Sequence, residues 1–305
     1  MIKRVDDIND DQIRVLGRQG KPDSTPARSG HDRKPVYIGA AILVVILALL
    51  GIVFGLKHGH SAENAQETEL EMALYDPEPV ETVDLEPVTP LGNYADDSDK
   101  AYTEHLKQTI NDIPLDIYIP HNASPELCIG VPDMFDKSIV LTTQAADIRA
   151  DNGKIVGAFV LKGEPLAWGL SKKGYCAIID GKVSIGVADN SPLFEEATEK
   201  GGYFFRQYPL VDNGKLVENE LKGKSVRKAI CDRAGEIMVV MTETPESLHD
   251  FAQALVDLRV DNAVYLVGSN SYGYFRDKFD HFTQIYEKTR GGQKFENFVV
   301  WNSIH

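Results

Sequence analysis

The sequence lacks histidines, cysteines and carboxylates at metal-ligand spacing, and it has no Gly-x-Ser-x-Gly elbow and no phosphate-binding P-loop. The motif-borne zinc hydrolases, serine esterases and nucleotidases are therefore absent from the candidates. Cysteine is scarce: Cys128, Cys176 and Cys231 lie in apolar, strand-like stretches with no CxxC spacing. They read as buried free thiols, with an inter-strand disulfide as the competing state. Basic residues are missing altogether between Lys57 and Lys100, while 12 acidic residues lie between His58 and Asp99. That stretch accounts for most of the net charge of -14. The remainder is only mildly acidic, which argues against nucleic acid as a partner.

One long apolar run stands against this polar background. Val36 to Leu56 holds 21 residues without a charge, enough for a helix to cross the hydrocarbon core of a bilayer. Arg28, Arg33 and Lys34 precede it and nothing basic follows Lys57 for some forty residues. The positive-inside rule then puts the N-terminus in the cytoplasm and the bulk of the chain outside a bacterial-type cell membrane. A cleaved signal peptide ending at Ala62-Glu63-Asn64-Ala65 is the rival reading, but the preceding region and the apolar run are both too long for it. Gly51-x-x-x-Gly55 permits close approach of two such helices and so a homo-oligomer.

The chain divides accordingly into a disordered tail (1–35), a transmembrane helix (36–56), an acidic linker with prolines (57–99) and an extracytoplasmic domain (100–305). A flexible linker of that length reaches on the order of 40 Å. A helix is expected from Asp99 to about Asp112, because Tyr102, Leu106 and Ile110 recur at a spacing of four. After it the period falls to two. Apolar runs flank Lys162-Gly163, Asp180-Gly181, Asp212-Asn213-Gly214 and Arg233-Ala234-Gly235, which reads as a series of antiparallel hairpins. Ser191-Pro192 and Thr244-Pro245-Glu246 open two helices; in the second, Leu248, Phe251, Ala252, Leu255 and Leu258 form one apolar stripe. The expected fold class is α+β: a largely antiparallel sheet domain with a few packed helices, preceded by one transmembrane helix.

The order of elements then becomes specific. FFRQYPLVDNGKLV (Phe204 to Val217), SVRKAI (Ser225 to Ile230), GEIMVVM (Gly235 to Met241), a helix, and AVYLVGSNS (Ala263 to Ser271) follow the paired hairpins GKIVGAFVLKGEPLAWG and GYCAIIDGKVSIG. This succession, from about Ile113 to Ser271, resembles the phosphodiester glycosidase family. The resemblance implies a site that holds a phosphodiester beside an anomeric carbon; no cofactor is expected and no metal-ligating residues are assigned, while metal dependence stays open. Glycoside cleavage ordinarily uses two carboxyl groups about 5 to 10 Å apart, and phosphate recognition favours arginine.

The chain departs from the family at its signature segments. Gln144-Ala145-Ala146-Asp147 stands where the family has Asn-Gly-Gly-Phe, and Val267-Gly268-Ser269-Asn270-Ser271 stands where it has Asp-Gly-Gly-Gly-Ser. The family's acid is thus Val267, while Gly268 and Ser271 survive. The resemblance makes Arg227 a phosphate contact, the alternative being a surface arginine that begins a strand, and puts Gln207 at the family's polar position before its proline. Arg206, inside an apolar run, has either a ligand or an outward-facing place on a strand. Asp147 is the candidate acid and Arg149, two residues on, a phosphate clamp; an ordinary surface ion pair is the alternative. The backbone amides of Gly268, Ser269 and Ser271 could cradle an anion, or the loop is plain turn chemistry. Trp168, Tyr272 and Tyr274 could stack on sugar or pack in the core. Two functions follow: a membrane-anchored hydrolase of envelope sugar phosphodiesters, or a module of the same fold that has lost catalysis and binds a glycan or a protein. The valine favours the second, since loss of proton transfer costs about 10² to 10⁴ in rate and leaves binding intact.

Overall fold

Tight hairpins generate most of the architecture. The computed structural model describes residues 86–94, 99–268, 271–286 and 296–304. The proposed tail and transmembrane run, most of the linker, and Ser269 lie outside them. Among the described residues, no helix is long and apolar enough to cross a membrane.

The chain order is β1 (Tyr102–Ile110), β2 (Ile113–His121), β3 (Ala123–Ile129), β4 (Ile139–Gln144), β5 (Ala158–Leu161), β6 (Glu164–Trp168), β7 (Gly174–Ile179) and β8 (Lys182–Val187). Then come α1 (Leu193–Glu199), β9 (Tyr203–Gln207), β10 (Pro209–Asp212), β11 (Lys215–Leu216), β12 (Lys228–Arg233), β13 (Glu236–Thr242) and α2 (Leu248–Asp257). The last strands are β14 (Asn262–Leu266), β15 (Gly273–Arg276), β16 (Phe282–Tyr286) and β17 (Asn297–Ser303). They form three antiparallel sheets, ordered β1-β2-β13-β12-β14-β10-β11, β16-β15-β4-β17-β3 and β6-β5-β9-β7-β8. The largely antiparallel α+β expectation is met.

The expected helix at 99–112 is instead β1. A spacing of four satisfies one face of a helix and one face of a strand equally, because four is an even number of residues. The turn decides between them: Asn111 and Asp112 both take positive φ (52° and 62°) and fold β1 back onto β2, as a type I′ hairpin requires. The Asp180-Gly181 turn between β7 and β8 has the same geometry (52° and 75°).

Period-two alternation sorts the large sheet's residues between two cores. Leu115, Ile117 and Ile119 of β2, Met238 and Val240 of β13, and Ala229 and Cys231 of β12 face α2 and its stripe of Leu248, Phe251, Ala252, Leu255 and Leu258. The alternate residues, Tyr118, Val239, Ile230, Val264 and Leu266, face a central core shared with Leu141, Val299 and Trp301 of the second sheet and Phe159, Cys176 and Phe205 of the third. Burying a side chain such as Phe251 contributes about 1.5 to 3 kcal/mol. Helix α2 starts at an N-cap on Ser247, whose hydroxyl accepts from the Asp250 amide at 3.0 Å. The start falls after Thr244-Pro245-Glu246 because Glu246 is bridged to Ser225 by two backbone bonds of 3.1 and 2.8 Å.

Residues 89–94 lie against the end of the β12–β13 hairpin. Thr89 O accepts from Arg233, the Leu91 and Gly92 amides donate to the Glu236 carboxylate at 3.0 and 2.9 Å, and Tyr94 Oη donates to it at 2.9 Å. Burial and Glu236 push the Tyr94 phenol well above its ordinary pKa. All three cysteines are free; Cys176 and Cys231 are buried, and burial pushes the Cys176 thiol up to about 12.

Candidate functional site

Residues 145–147 and Val267 meet in space. Strand β4 runs out into Ala145-Ala146-Asp147, which is tied to the start of β17: Ala145 N donates to Asn297 O at 3.1 Å, Ala146 N to Asn297 Oδ1 at 2.7 Å, and Asn297 Nδ2 to Ala146 O at 3.1 Å. Strand β14 runs out beside it, with Val267 N donating to Ala145 O at 3.3 Å. Asp147 is fixed in turn by Val156 N, which donates to its carbonyl at 2.9 Å.

The Asp147 carboxylate, about a third exposed, is bonded to Lys172 Nζ. The Lys172 side chain is almost fully buried, which is unusual for lysine. Its ammonium also donates to Gln207 Oε1 at 3.1 Å and lies 4.5 Å from the centre of the Tyr208 ring, a cation–π contact. Gln207 is fully buried at the end of β9, and its Oε1 also accepts from the Tyr208 amide at 3.1 Å. Two donors on Oε1 fix which end of the amide is oxygen. The Nε2 group, with two protons to give, has no hydrogen-bond partner among the described residues. A buried donor left in that state costs about 1 to 3 kcal/mol, so its persistence calls for an acceptor. Sequence reasoning found Asp147 and Gln207 but missed Lys172, which reads as one more polar residue of the Ser171-Lys172-Lys173-Gly174 turn.

The other candidates fall around this cluster in different roles. Arg206 is buried, and its guanidinium is taken up by three carbonyls: Lys172 O at 3.0 Å, Ala188 O at 2.9 Å and Asp189 O at 3.0 Å. It braces the backbone that delivers Lys172, and burial holds its pKa below the usual range. Arg227 is also buried, with Nε on Glu246 O at 2.9 Å and Nη2 on Gly223 O at 2.8 Å, and its guanidinium carbon lies 6.0 Å from the Tyr265 ring. Tyr265 reaches Tyr208 edge-on at 6.5 Å. Arg227 thus joins the cluster through two aromatic rings. Arg149 is half-buried at the mouth of a tight loop, where its amide donates to Lys154 O at 2.9 Å and its carbonyl accepts from Gly153 at 2.8 Å.

Packing requires a glycine at 268, since a Cβ there would collide with Val226 O and lie 2.9 Å from Tyr265 Oη. Ser271 is buried and donates to Gly268 O at 2.6 Å. Its hydroxyl accepts from Lys228 Nζ at 2.9 Å, and Lys228 also donates to Thr143 Oγ1 at 2.9 Å. No carboxylate among the described residues pairs with this second buried amine, and burial lowers it to about 7. Tyr272 and Tyr274 are core residues, packed edge-on against each other at 5.9 Å, whereas Trp168 is exposed. Among the described residues no group of three or more metal-ligating side chains is gathered. Two recesses of about 350 and 340 Å³ lie elsewhere, one around Glu126, Tyr203 and Asn302 and one around Lys100, Lys137 and Arg276.

No family model matches the chain, and no curated protein does. Among solved structures it is similar to the catalytic domain of zebrafish N-acetylglucosamine-1-phosphodiester alpha-N-acetylglucosaminidase, auto-inhibited by its pro-peptide. That likeness has a TM-score of 0.47 and 11% identity over 68% of this chain and 83% of that one. It is also similar to a hypothetical protein from Synechocystis, with a TM-score of 0.49 and 13% identity over 68% of this chain and 64% of that one.

Proposed function

We propose that the chain holds a sugar phosphodiester at the Asp147, Lys172 and Gln207 cluster, as a membrane-anchored protein of the phosphodiester glycosidase type in which binding outlasts hydrolysis. The observation that carries this reading is the buried Gln207 Nε2, held in one orientation with two unmatched protons. A phosphoryl oxygen supplies the missing acceptor, and the neighbouring ammonium strengthens that bond through its charge. Asp147, bonded to an ammonium and open to solvent on its other side, accepts hydrogen bonds from sugar hydroxyls. Among the described residues no second carboxylate bonds to Asp147, Lys172 or Gln207, whereas glycoside cleavage uses a pair. The sequence resemblance supports the ligand class, and the uncharged run at 36–56 with its basic N-terminal flank supports an envelope location.

The test is calorimetric titration of the full chain with the methyl phosphodiester of N-acetylglucosamine 1-phosphate, with free sugar measured in the same samples. Binding without sugar release is expected, and Gln207→Leu should weaken it at least about tenfold, as loss of hydrogen bonds to a charged group does. Absence of binding by the folded wild type, or equal binding by the variant, would overturn the assignment. Sugar release that Asp147→Asn abolishes would turn the binding site into an enzyme.

A further inference from the structure

The segment that brings Lys172 into the cluster carries two large apolar side chains on its outside. Trp168 closes edge strand β6 at 66% exposed and Leu170 follows at 63%, while the Lys172 side chain is 3% exposed. The backbone beneath the ring is closely packed. A Cβ on Gly169 would lie 3.1 Å from Gly157 Cα, and one on Gly157 would lie 3.0 Å from Arg206 Cβ, so three backbones are stacked without space between them. Trp168 pairs with Ala158, and Val156, two residues before that, is bonded to Asp147. The backbone that carries the exposed ring is thereby held near the segment that bears Asp147. A tryptophan has only two side-chain torsions to immobilise, so it gives contact area at low entropic cost.

We infer that Trp168 and Leu170 form the platform on which the sugar chain of the ligand lies. Its phosphodiester would enter the Asp147, Lys172 and Gln207 cluster; the inference rests on the function proposed above and names the part of the ligand that reading leaves open. A pyranose ring offers an apolar C–H face to an aromatic surface and keeps its hydroxyls at the rim, so one ligand suits exposed apolar side chains carried on the same segment as a residue of a polar cluster. Addition of a partner's β-strand at the same edge is opposed by β6 itself. It contains Pro165, which has no amide proton, and its pairing with β5 is irregular between Phe159 and Val160; proline and bulges are the devices that blunt sheet edges.

The chain has two tryptophans, and Trp301 is 1% exposed, so a water-soluble quencher such as iodide reads Trp168 alone. The full chain is titrated with two probes: the methyl phosphodiester of N-acetylglucosamine 1-phosphate, and a phosphodiester carrying a tri-N-acetylglucosamine chain. The longer probe should at least halve iodide quenching. Trp168→Ala should weaken the longer probe by about tenfold and leave the methyl phosphodiester unchanged. Binding of both probes with unaltered quenching and no loss in Trp168→Ala would overturn the platform and leave the phosphate site standing. Failure of the wild type to bind either probe would overturn both. Protection of Trp168 that rises with protein concentration alone would replace the sugar by a second copy of the chain.

Discussion

Lys172 and Lys228 are both buried, yet they are accommodated in opposite ways. Lys172 has a carboxylate, an amide oxygen and an aromatic face around its ammonium, and its partner Asp147 reaches solvent. Lys228 has two hydroxyls, Thr143 and Ser271, and among the described residues no ion pair. A buried amine with no opposite charge beside it is driven towards its neutral form. The first arrangement suits recognition of a polar ligand at the surface. The second ties Ser271, and through it Gly268, to Thr143 of β4, so one amine sits beside a solvent-reaching carboxylate and the other is part of the fold.

The contrast breaks most severely at Arg206, which supports only the first lysine. Arg206→Ala removes three carbonyl contacts, one of them to Lys172 itself. The expected loss is about 3 kcal/mol, moderated because Arg206 Nε is itself without a partner. A lower urea midpoint with an unchanged m-value would report it. Binding of the methyl phosphodiester should fall with it, while the pH response of Lys228 stays as in the wild type. A variant with unchanged midpoint would show that the brace is dispensable.

Lys228 is sharpened by pH. Its folded pKa of about 7 lies below the ordinary 10.5, so between those values the unfolded chain binds more protons and stability rises with pH. The three cysteines act oppositely, because their raised pKa values make stability fall once unfolded thiols ionise, near pH 9. The clean window is therefore pH 7 to 8.5, in which the wild type should gain about 1 to 2 kcal/mol. Lys228→Met should flatten the slope. A slope that survives the substitution would assign the proton to another group.

The distinction between these lysines was invisible in the sequence, and the reason is physical. Hairpin turns announce themselves because positive φ selects Asn, Asp and Gly locally, as at Asp180-Gly181. The strand at Tyr102–Ile110 was obscured because a spacing of four fits both periods, although Asn111-Asp112 marked the turn. Burial of a lysine depends on what arrives from elsewhere in the chain. Lys172 lies beside Lys173, whose side chain is 63% exposed, and the partners that separate them, Asp147 and Gln207, are 25 and 35 residues away. Arg206 was legible as a charge within an apolar run, but a guanidinium serves carbonyls as well as phosphates, and only the fold shows which it has met.

The smallest effect tests whether Lys172 needs its carboxylate. Asp147→Asn keeps the shape and removes the charge, leaving the ammonium with Gln207 Oε1 and the Tyr208 ring. Breaking a fully buried pair costs about 3 to 5 kcal/mol. Asp147 is a third exposed, so water screens much of the interaction, and about 1 kcal/mol is expected from urea unfolding at pH 7. A loss of several kcal/mol would mean that Lys172 depends on Asp147 as a buried charge depends on its sole partner. The cluster would then be a structural pair like the Arg206 brace. A loss near 1 kcal/mol, with weakened sugar binding, would leave Asp147 as the member of the site that stability does not require, which is what a group reserved for a ligand should be.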